Sequence, residues 1–206
     1  MTVTDWLALA MMVGGYLLGS IPFGIVVSKY LGATDPRTAG SHNIGFTNVM
    51  RVSGKKAGLL TLAGDLGKGW LVGWLAMQTH DHAWWPWLIA LSPIIGHLFS
   101  VFLGLRGGKG VATALGAIIG VAPWVGFSAV LVWLVTAGVW RYSSGAAITA
   151  FILLPVLAAA LRRGDQQFVV FTVIISGLIL WRHKDNMIRL WNGTEPKIGR
   201  RGKPMT

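Results

Sequence analysis

The stretch VATALGAIIGVAPWVGFSAVLVWLVTAGVW, residues 111–140, decides how often the chain is predicted to cross a membrane. It is apolar over about 30 residues, whereas one helix needs only about 20 residues to span a bilayer. Gly120 and Pro123 lie inside it, and both residue types favour a break in a helix. We therefore predict two segments here. The fourth segment of the chain, with about 14 residues and a length of about 20 Å, is too short for a hydrocarbon core of roughly 30 Å. The fifth spans residues 124–140.

Further apolar runs lie on both sides of this stretch. The chain is 53% hydrophobic and 12% charged, whereas soluble domains average about 25% charged residues. We predict an all-α, polytopic membrane helix bundle that forms a single integral-membrane domain over residues 1–206, with seven transmembrane segments of which the fourth is short. The other five are predicted at residues 6–30 with a kink at Pro22, 57–77, 86–105, 144–161 and 167–181.

Basic residues favour the count of seven. With the N-terminus outside, the loop 29–56, the turn 106–109, Arg141 and the tail 182–206 lie on one side and carry 5, 2, 1 and 7 basic residues. The opposite side carries only Arg162 and Arg163. Six segments would remove this asymmetry. The positive-inside rule therefore predicts an outside N-terminus and a cytoplasmic C-terminus, so the net charge of +11 indicates cytoplasmic loops rather than nucleic-acid binding.

Three polar segments fall on the predicted cytoplasmic side: AGSHNIGFTNVMR (39–51), LRGGKG (105–110) and RHKDNMIRL (182–190). In the first, which we call the donor-rich loop, Gly40 and Gly45 permit backbone angles at which successive N–H groups form an anion nest. The alternative is a turn-rich connection between two membrane helices. The side chains that offer hydrogen bonds or charge to an oxyanion are Ser41, Asn43, Thr47, Asn48, Arg37 and Arg51.

The second segment resembles a phosphate loop. It is no Walker A motif, because Gly110 follows Lys109 where that motif needs Ser or Thr. A helix that begins after Lys109 would direct its N-terminal N–H groups towards an anion, together with Gly107 and Gly108. The alternative is a basic membrane anchor with a flexible hinge.

In the third segment, His183 and Asn186 are three residues apart and would share one face of a continuing helix. His183 could then act as an acid or base near neutral pH, although a lone His at a helix end is more often structural. We interpret Asp65, Lys68 and His97, which lie inside predicted spans, as structural, with Asp65 and Lys68 paired and bracing the donor-rich loop.

The chain contains no Cys, which excludes a thiol nucleophile. Its seven acidic residues are scattered, which argues against a metal-bound phosphotransferase site. There is also no G-x-S-x-G elbow.

Five motifs in order carry a resemblance over nearly the whole chain. They are GSIPFG (19–24), D-x-R-x-x-GS-x-N-x-G-x-TN-x-x-R (35–51), D-x-x-KG (65–69), GH-x-x-x-x-F-x-G-x-x-GGKGVAT (96–113) and RH-x-x-N-x-x-RL-x-x-G-x-E (182–195). The chain resembles the bacterial integral-membrane glycerol-3-phosphate acyltransferases that use acyl phosphate as acyl donor.

The resemblance implies a cytoplasmic-side active site in the bacterial inner membrane, without metal or cofactor. The implied partners are acyl phosphate, glycerol 3-phosphate and membrane lipid, with no nucleic acid and no obligate protein partner; the implied products are lysophosphatidate and phosphate. Matching positions give Ser41 and His183 as the catalytic pair. The matching phosphate-binding positions are Arg51, Lys109, Asn186 and the loop from Asn43 to Asn48.

Two departures and two alternatives accompany this interpretation. His42 stands where the family commonly has Gly, and its Cβ restricts the backbone angles of the loop. Ser100 stands where Pro is expected. We favour direct attack of the glycerol hydroxyl on the acyl carbonyl over a covalent acyl-Ser41, because the sequence shows no Ser-His-acid set.

A transporter is the alternative function. It would need polar groups along a path through the membrane midplane, whereas here the polar groups gather on one side.

Overall fold

A computed structural model describes residues 3–79 and 84–199, and within these ranges the regular structure is entirely helical. The last residues of the predicted tail, 200–206, lie outside these ranges. A 3₁₀ turn, Val101–Leu103, follows the fifth helix. The α-helices are α1 Val3–Ser20, α2 Phe23–Tyr30, α3 Phe46–Val52, α4 Lys55–Ala76, α5 Trp85–Leu98, α6 Val111–Val121, α7 Pro123–Trp140, α8 Ser143–Leu161, α9 Gln166–Arg182 and α10 Lys184–Trp191.

In the described part of the chain, four helical stretches are long and apolar enough to cross a membrane: α1, α5 with its 3₁₀ extension, α7 and α8. The bent pair α9 and α10 makes a fifth if it is counted as one span. These four or five stretches do not confirm the predicted seven, and the count stays a prediction. The predicted division of residues 111–140 is present, because α6 has 11 residues and α7 begins at Pro123.

The predicted first span is two helices rather than one kinked helix. α1 ends at Ser20 and α2 begins at Phe23, because Pro22 has no N–H group to continue the helical hydrogen bonds. The break frees backbone carbonyl groups, and distant side chains satisfy them. Ser100 Oγ donates to the Ser20 carbonyl at 2.6 Å, and Lys68 Nζ donates to the Ile21 carbonyl at 2.8 Å. The serine that stands where Pro was expected therefore closes the end of α1.

Two short helices lie outside the predicted spans. α3 lies within the loop between α2 and α4, and it packs against both of these helices. α10 lies in the predicted tail, where the chain bends by 60° after α9. Polar composition hides both helices from a reading based on apolar runs alone.

Glycines allow α4 and α6 to pack in direct backbone contact. A Cβ added to Gly69 or Gly73 of α4 would collide with the backbone carbonyl of Thr113 or Ala117 in α6. Small residues let helices approach this closely in membranes. Because Lys109 stands just before α6 and Asp65 lies in α4, this contact fixes two parts of the cavity described below.

We predict that alanine destabilises the protein at Gly69 of α4 but not at the nearby Gly67. Gly69→Ala forces the new methyl group into the Thr113 backbone, so we expect a loss of about 1 to 3 kcal/mol of stability. Gly67→Ala is the matched control, because a Cβ there meets no atom within 4 Å. The apparent melting temperature of the purified protein in detergent measures both. Equal melting temperatures for the two variants would contradict this packing.

Candidate functional site

The three polar segments predicted from the sequence meet at one cavity of about 1090 Å³. Its polar end combines groups from the donor-rich loop, the loop before α6, the start of α8 and the region around α10. Its other side, the apolar wall, comes from α4, α6 and α7. The polar end contains Ser41, Asn43, Thr47, Arg51, Lys109, Ser143, Ser144, His183, Asn186, Arg189 and Glu195, and the apolar wall contains Leu62, Leu66, Leu115, Val130, Trp133 and Leu134.

The side chain of Asn48 holds the donor-rich loop together through hydrogen bonds to its backbone. Its side chain is buried, its Oδ1 accepts a hydrogen bond from the Ser41 N–H at 2.9 Å, and its amide nitrogen donates to the carbonyls of Pro36, Ala39 and Asn43 at 2.9 to 3.2 Å. Gly40 has φ of +66°, and a side chain there would collide with Asn48 Oδ1. Asn48, predicted as a phosphate donor, is therefore committed to holding the loop.

The two arginines of this region have different environments. Arg51 lines the cavity near the end of α3, and within the described residues no side chain pairs with its guanidinium. Arg37 is exposed, forms an ion pair with Asp35 at 2.6 Å and lines neither this cavity nor its smaller neighbour. The prediction that Arg37 helps to bind an anion in this site is therefore corrected, because Asp35 holds the guanidinium on the surface.

The remaining polar side chains of the donor-rich loop line the cavity. Ser41 is exposed towards it, with its position set by the bond from its N–H to Asn48. Asn43 Oδ1 accepts from the Gly45 N–H at 3.3 Å, and Thr47 Oγ1 lies 2.8 Å from Ser143 Oγ at the start of α8. The loop is thus fastened to α8, a connection that the sequence did not indicate.

His42 adopts the backbone that a glycine would adopt. Its φ is +56°, in the left-handed region that side chains disfavour. Its Nδ1 lies 2.8 Å from the Arg37 carbonyl, which compensates part of this strain. The departure from glycine at this position therefore leaves the turn intact.

The loop 104–110, which we call the glycine-rich loop, is held on both sides. The N–H groups of Gly107 and Gly108 donate to the carbonyls of Leu98 and His97 at 3.1 and 3.0 Å. Their own carbonyls accept hydrogen bonds from the Arg182 guanidinium at 2.8 and 3.1 Å. Gly107 and Gly108 were predicted to bind phosphate, but their N–H groups already donate to carbonyls at the end of α5. The loop instead presents Lys109.

Lys109 belongs to a network closed by one carboxylate. Its Nζ donates to Asn186 Oδ1, and the Asn186 amide nitrogen donates to Glu195 Oε1 at 2.7 Å. Glu195 also accepts from Ser144 Oγ at 2.6 Å and from Arg189 Nε at 2.7 Å. Burial lowers the pKa of Lys109 to about 8, although the negative charge of Glu195 opposes the shift. Burial alone would raise the pKa of Glu195, but its three hydrogen bonds hold it below the usual range.

The sequence reading did not select Glu195, Arg189, Ser143 or Ser144 as site residues. Glu195 and Arg189 were visible as members of the last motif, and Glu195 is one of only seven acidic residues in the chain. The two serines gave no signal, since they stand at a helix start where Ser is common.

His183 lies at the bend between α9 and α10 and is buried. Its Nδ1 lies 2.8 Å from the Ile179 carbonyl, which can only accept, so Nδ1 carries the proton and Nε2 keeps a lone pair. Burial lowers the pKa of His183 to about 4, so the ring is neutral near pH 7. The prediction that His183 and Asn186 share one helix face assumed a straight helix, but the chain bends by 60° at this point. Both side chains nevertheless line the cavity.

Asp65 and Lys68 form the predicted ion pair, at 2.8 Å. Lys68 braces the break after α1 rather than the donor-rich loop. Asp65 and His97 line the cavity beside the glycine-rich loop.

A family model and two curated relatives all match this chain as the same family. A family model described as glycerol-3-phosphate acyltransferase matches residues 9–193. The chain is 47% identical to the glycerol-3-phosphate acyltransferase of Aromatoleum aromaticum, over 93% of this chain and 96% of that protein. It is 46% identical to that of Thioalkalivibrio sulfidiphilus, over 96% and 97% of the two chains.

Two solved structures share the fold. Both are crystal structures of PlsY (YgiH), an integral membrane glycerol 3-phosphate acyltransferase, at 39% identity. The glycerol 3-phosphate form gives a TM-score of 0.87 and covers 93% of this chain and 96% of that chain. The lysophosphatidic acid form gives a TM-score of 0.85 and covers 93% and 95%.

The two arginines provide a test of the cavity as an anion site. Arg51→Ala removes an unpaired cation from the cavity, so we expect inorganic phosphate to bind about tenfold more weakly or worse. Arg37→Ala leaves the cavity unchanged, and we expect wild-type affinity. Isothermal titration calorimetry with phosphate measures both. A larger loss in Arg37→Ala than in Arg51→Ala would contradict the assignment.

Proposed function

The chain belongs to the glycerol-3-phosphate acyltransferase family, and we propose that it transfers a fatty acyl group from acyl phosphate to the sn-1 hydroxyl of glycerol 3-phosphate. The products are lysophosphatidate and inorganic phosphate, and the reaction is the first step of bacterial phospholipid synthesis. The observation that carries the proposal is a single cavity with a cationic, hydrogen-bonding end and an apolar wall.

The polar end suits phosphate groups. Four cationic side chains line the cavity: Arg51, Lys109, Arg189 and Lys197. Arginine forks and lysine ammonium groups bind phosphate oxygens through charge-assisted hydrogen bonds. The two acidic side chains of the cavity, Asp65 and Glu195, are each already paired with a cation. This donor set favours oxyanions, and we propose transfer without a metal ion or cofactor.

The apolar wall suits the acyl chain. Its side chains come from α4, α6 and α7, and α4 and α7 carry exposed Trp and Leu residues elsewhere on their surfaces. An acyl chain placed against this wall leaves its phosphate at the polar end, beside the acceptor. Two anionic head groups held together in this way make the reaction effectively unimolecular.

We propose direct transfer. The glycerol hydroxyl oxygen attacks the acyl carbonyl carbon, the bond from that carbon to the phosphate oxygen breaks, and phosphate leaves with the electron pair. A substrate phosphate oxygen or His183 Nε2 accepts the hydroxyl proton, and Ser41 orients the head groups. The rival covalent acyl-Ser41 is less well supported, because His183 Nδ1 faces the Ile179 carbonyl and not a carboxylate.

We also propose the membrane arrangement predicted from charge. The active site would face the cytoplasm in the bacterial inner membrane, with seven segments, an outside N-terminus and a cytoplasmic C-terminus. The meeting of residues 39–51, 104–110 and 183–197 at one cavity supports a common side for these segments. We propose one acyltransferase domain, acting on lipid-soluble and soluble substrates without an obligate protein partner.

The reaction can be tested with purified, detergent-solubilised protein. We expect phosphate release from palmitoyl phosphate to require glycerol 3-phosphate and to yield lysophosphatidate, measured by mass spectrometry. Ser41→Ala and His183→Ala should lower kcat by about 100-fold or more, whereas Ser128→Ala on α7, whose hydroxyl bonds only its own helix, should not. Palmitoyl-CoA should be a poor donor. Phosphate release independent of glycerol 3-phosphate, or equal turnover with the CoA ester, would overturn the proposal.

The pKa of Lys109 predicts an alkaline limit. Lys109 is charged below about pH 8 and neutral above it, whereas the second pKa of a phosphate monoester is about 6, so its charge changes little above pH 8. We therefore expect kcat/KM for glycerol 3-phosphate to fall as the pH rises through about 8. Lys109→Arg should remove the fall, since arginine stays protonated. Identical pH profiles for the two proteins would contradict this role.

A further inference from the structure

Three buried ionisable residues have no part in the chemistry proposed above. Asp65 and Lys68 lie on α4 and His97 lies near the end of α5, and each is at most 5% exposed. Lys68 Nζ lies 2.8 Å from Asp65 Oδ1, and His97 Nδ1 lies 3.4 Å from the same oxygen. We propose that Asp65 and His97 are positioning residues, which hold the glycine-rich loop so that Lys109 meets the substrate phosphate.

The three residues divide between two tasks. Lys68 donates to the Ile21 carbonyl and so braces the break between α1 and α2, and it does not line the cavity. Asp65 and His97 do line it. The Asp65–Lys68 ion pair would be enough to brace the break between α1 and α2, so His97 is not needed for that task. A third ionisable group is costly inside a membrane protein, and such groups are functional hypotheses by default.

His97 touches the glycine-rich loop in two ways. Its backbone carbonyl accepts the Gly108 N–H at 3.0 Å. Its ring occupies the space beside the Gly108 Cα, because a Cβ added there would collide with His97 Nε2. Asp65 Oδ1 lies 3.4 Å from Nδ1, the nitrogen on the other side of the ring, so the buried carboxylate packs beside the ring. The ring therefore supports the residue immediately before Lys109.

The expected consequence is on binding, and it rests on the proposed function. When the ring moves or Asp65 is lost, Gly108 can shift and carry Lys109 away from Asn186. Lys109 would then form a weaker charge-assisted hydrogen bond to the phosphate of glycerol 3-phosphate. The KM for glycerol 3-phosphate should rise, while kcat, which depends on the alignment of the reacting carbonyl, should change little.

The test is a double-mutant cycle with a matched control. Gly108→Ala places a methyl group against the His97 ring, and we expect KM for glycerol 3-phosphate to rise about tenfold, which is about 1.4 kcal/mol. His97→Ala alone should also raise KM, because the loop loses the support of the ring. In the double variant the methyl group no longer meets the ring, so the combined rise should be smaller than the sum of the two single effects. Gly107→Ala is the control, because its Cβ would meet the His97 backbone carbonyl, which His97→Ala retains. We therefore expect the effects of the two changes to add in that pair.

A conservative variant provides a second readout. Asp65→Asn keeps the shape of the side chain but weakens its hold on His97, so we expect a higher KM, a kcat within about twofold and a smaller rise in melting temperature on addition of glycerol 3-phosphate. This thermal shift needs no acyl donor. Wild-type protein that binds glycerol 3-phosphate but transfers no acyl group would therefore refute the proposed function alone.

Two results would overturn the positioning role. One is a double-mutant cycle in which His97→Ala changes the KM of Gly108→Ala and the KM of Gly107→Ala to the same extent. The other is an Asp65→Asn protein that loses melting temperature but keeps the wild-type KM, since a brace for the fold alone would do this. If His97→Ala does not fold, the KM and ligand-induced thermal shift of Asp65→Asn decide between the two roles.

Discussion

The polar end of the cavity depends on one carboxylate, Glu195. It accepts hydrogen bonds from the start of α8 through Ser144 and from α10 through Asn186 and Arg189, and Asn186 extends the network to Lys109. Without it, the buried donors of Ser144 and Asn186 and the half-buried guanidinium of Arg189 would lose this acceptor, at a cost of about 1 to 3 kcal/mol for each unsatisfied group. Its charge also balances Lys109 and Arg189, whereas Arg51 lines the cavity without a side-chain partner among the described residues.

The helical architecture and the polar segments could be predicted because they follow from local sequence. Long apolar runs indicate membrane helices, and the three basic, donor-rich segments indicate one anion site. Which donors are free could not be predicted. Asn48 and the two glycines before Lys109 look like phosphate ligands in the sequence, but the loops use them to bind their own backbones. Arg37 looks equivalent to Arg51 until its pairing with Asp35 is seen.

Other features that were missed depend on contacts between distant residues. The chain can break between α1 and α2 because Ser100 and Lys68, far along the sequence, satisfy the freed carbonyls. The Ser144 to Glu195 hydrogen bond joins residues 51 positions apart. No periodicity or local motif encodes such a pair, although the acidic residue at the end of the last motif was a visible hint.

The proposed chemistry follows from holding two anions in one place. An acyl phosphate already carries a good leaving group, so alignment and stabilisation of the developing oxyanion supply most of what is needed. Both substrates must then occupy the cavity together. A covalent acyl-enzyme would instead release phosphate before the acceptor binds.

Initial-rate kinetics with both substrates varied test this point most directly. Double-reciprocal plots for palmitoyl phosphate at several fixed concentrations of glycerol 3-phosphate should intersect, as expected when both substrates bind before any product leaves. Parallel lines would indicate a ping-pong mechanism with an acylated protein, and they would contradict direct transfer.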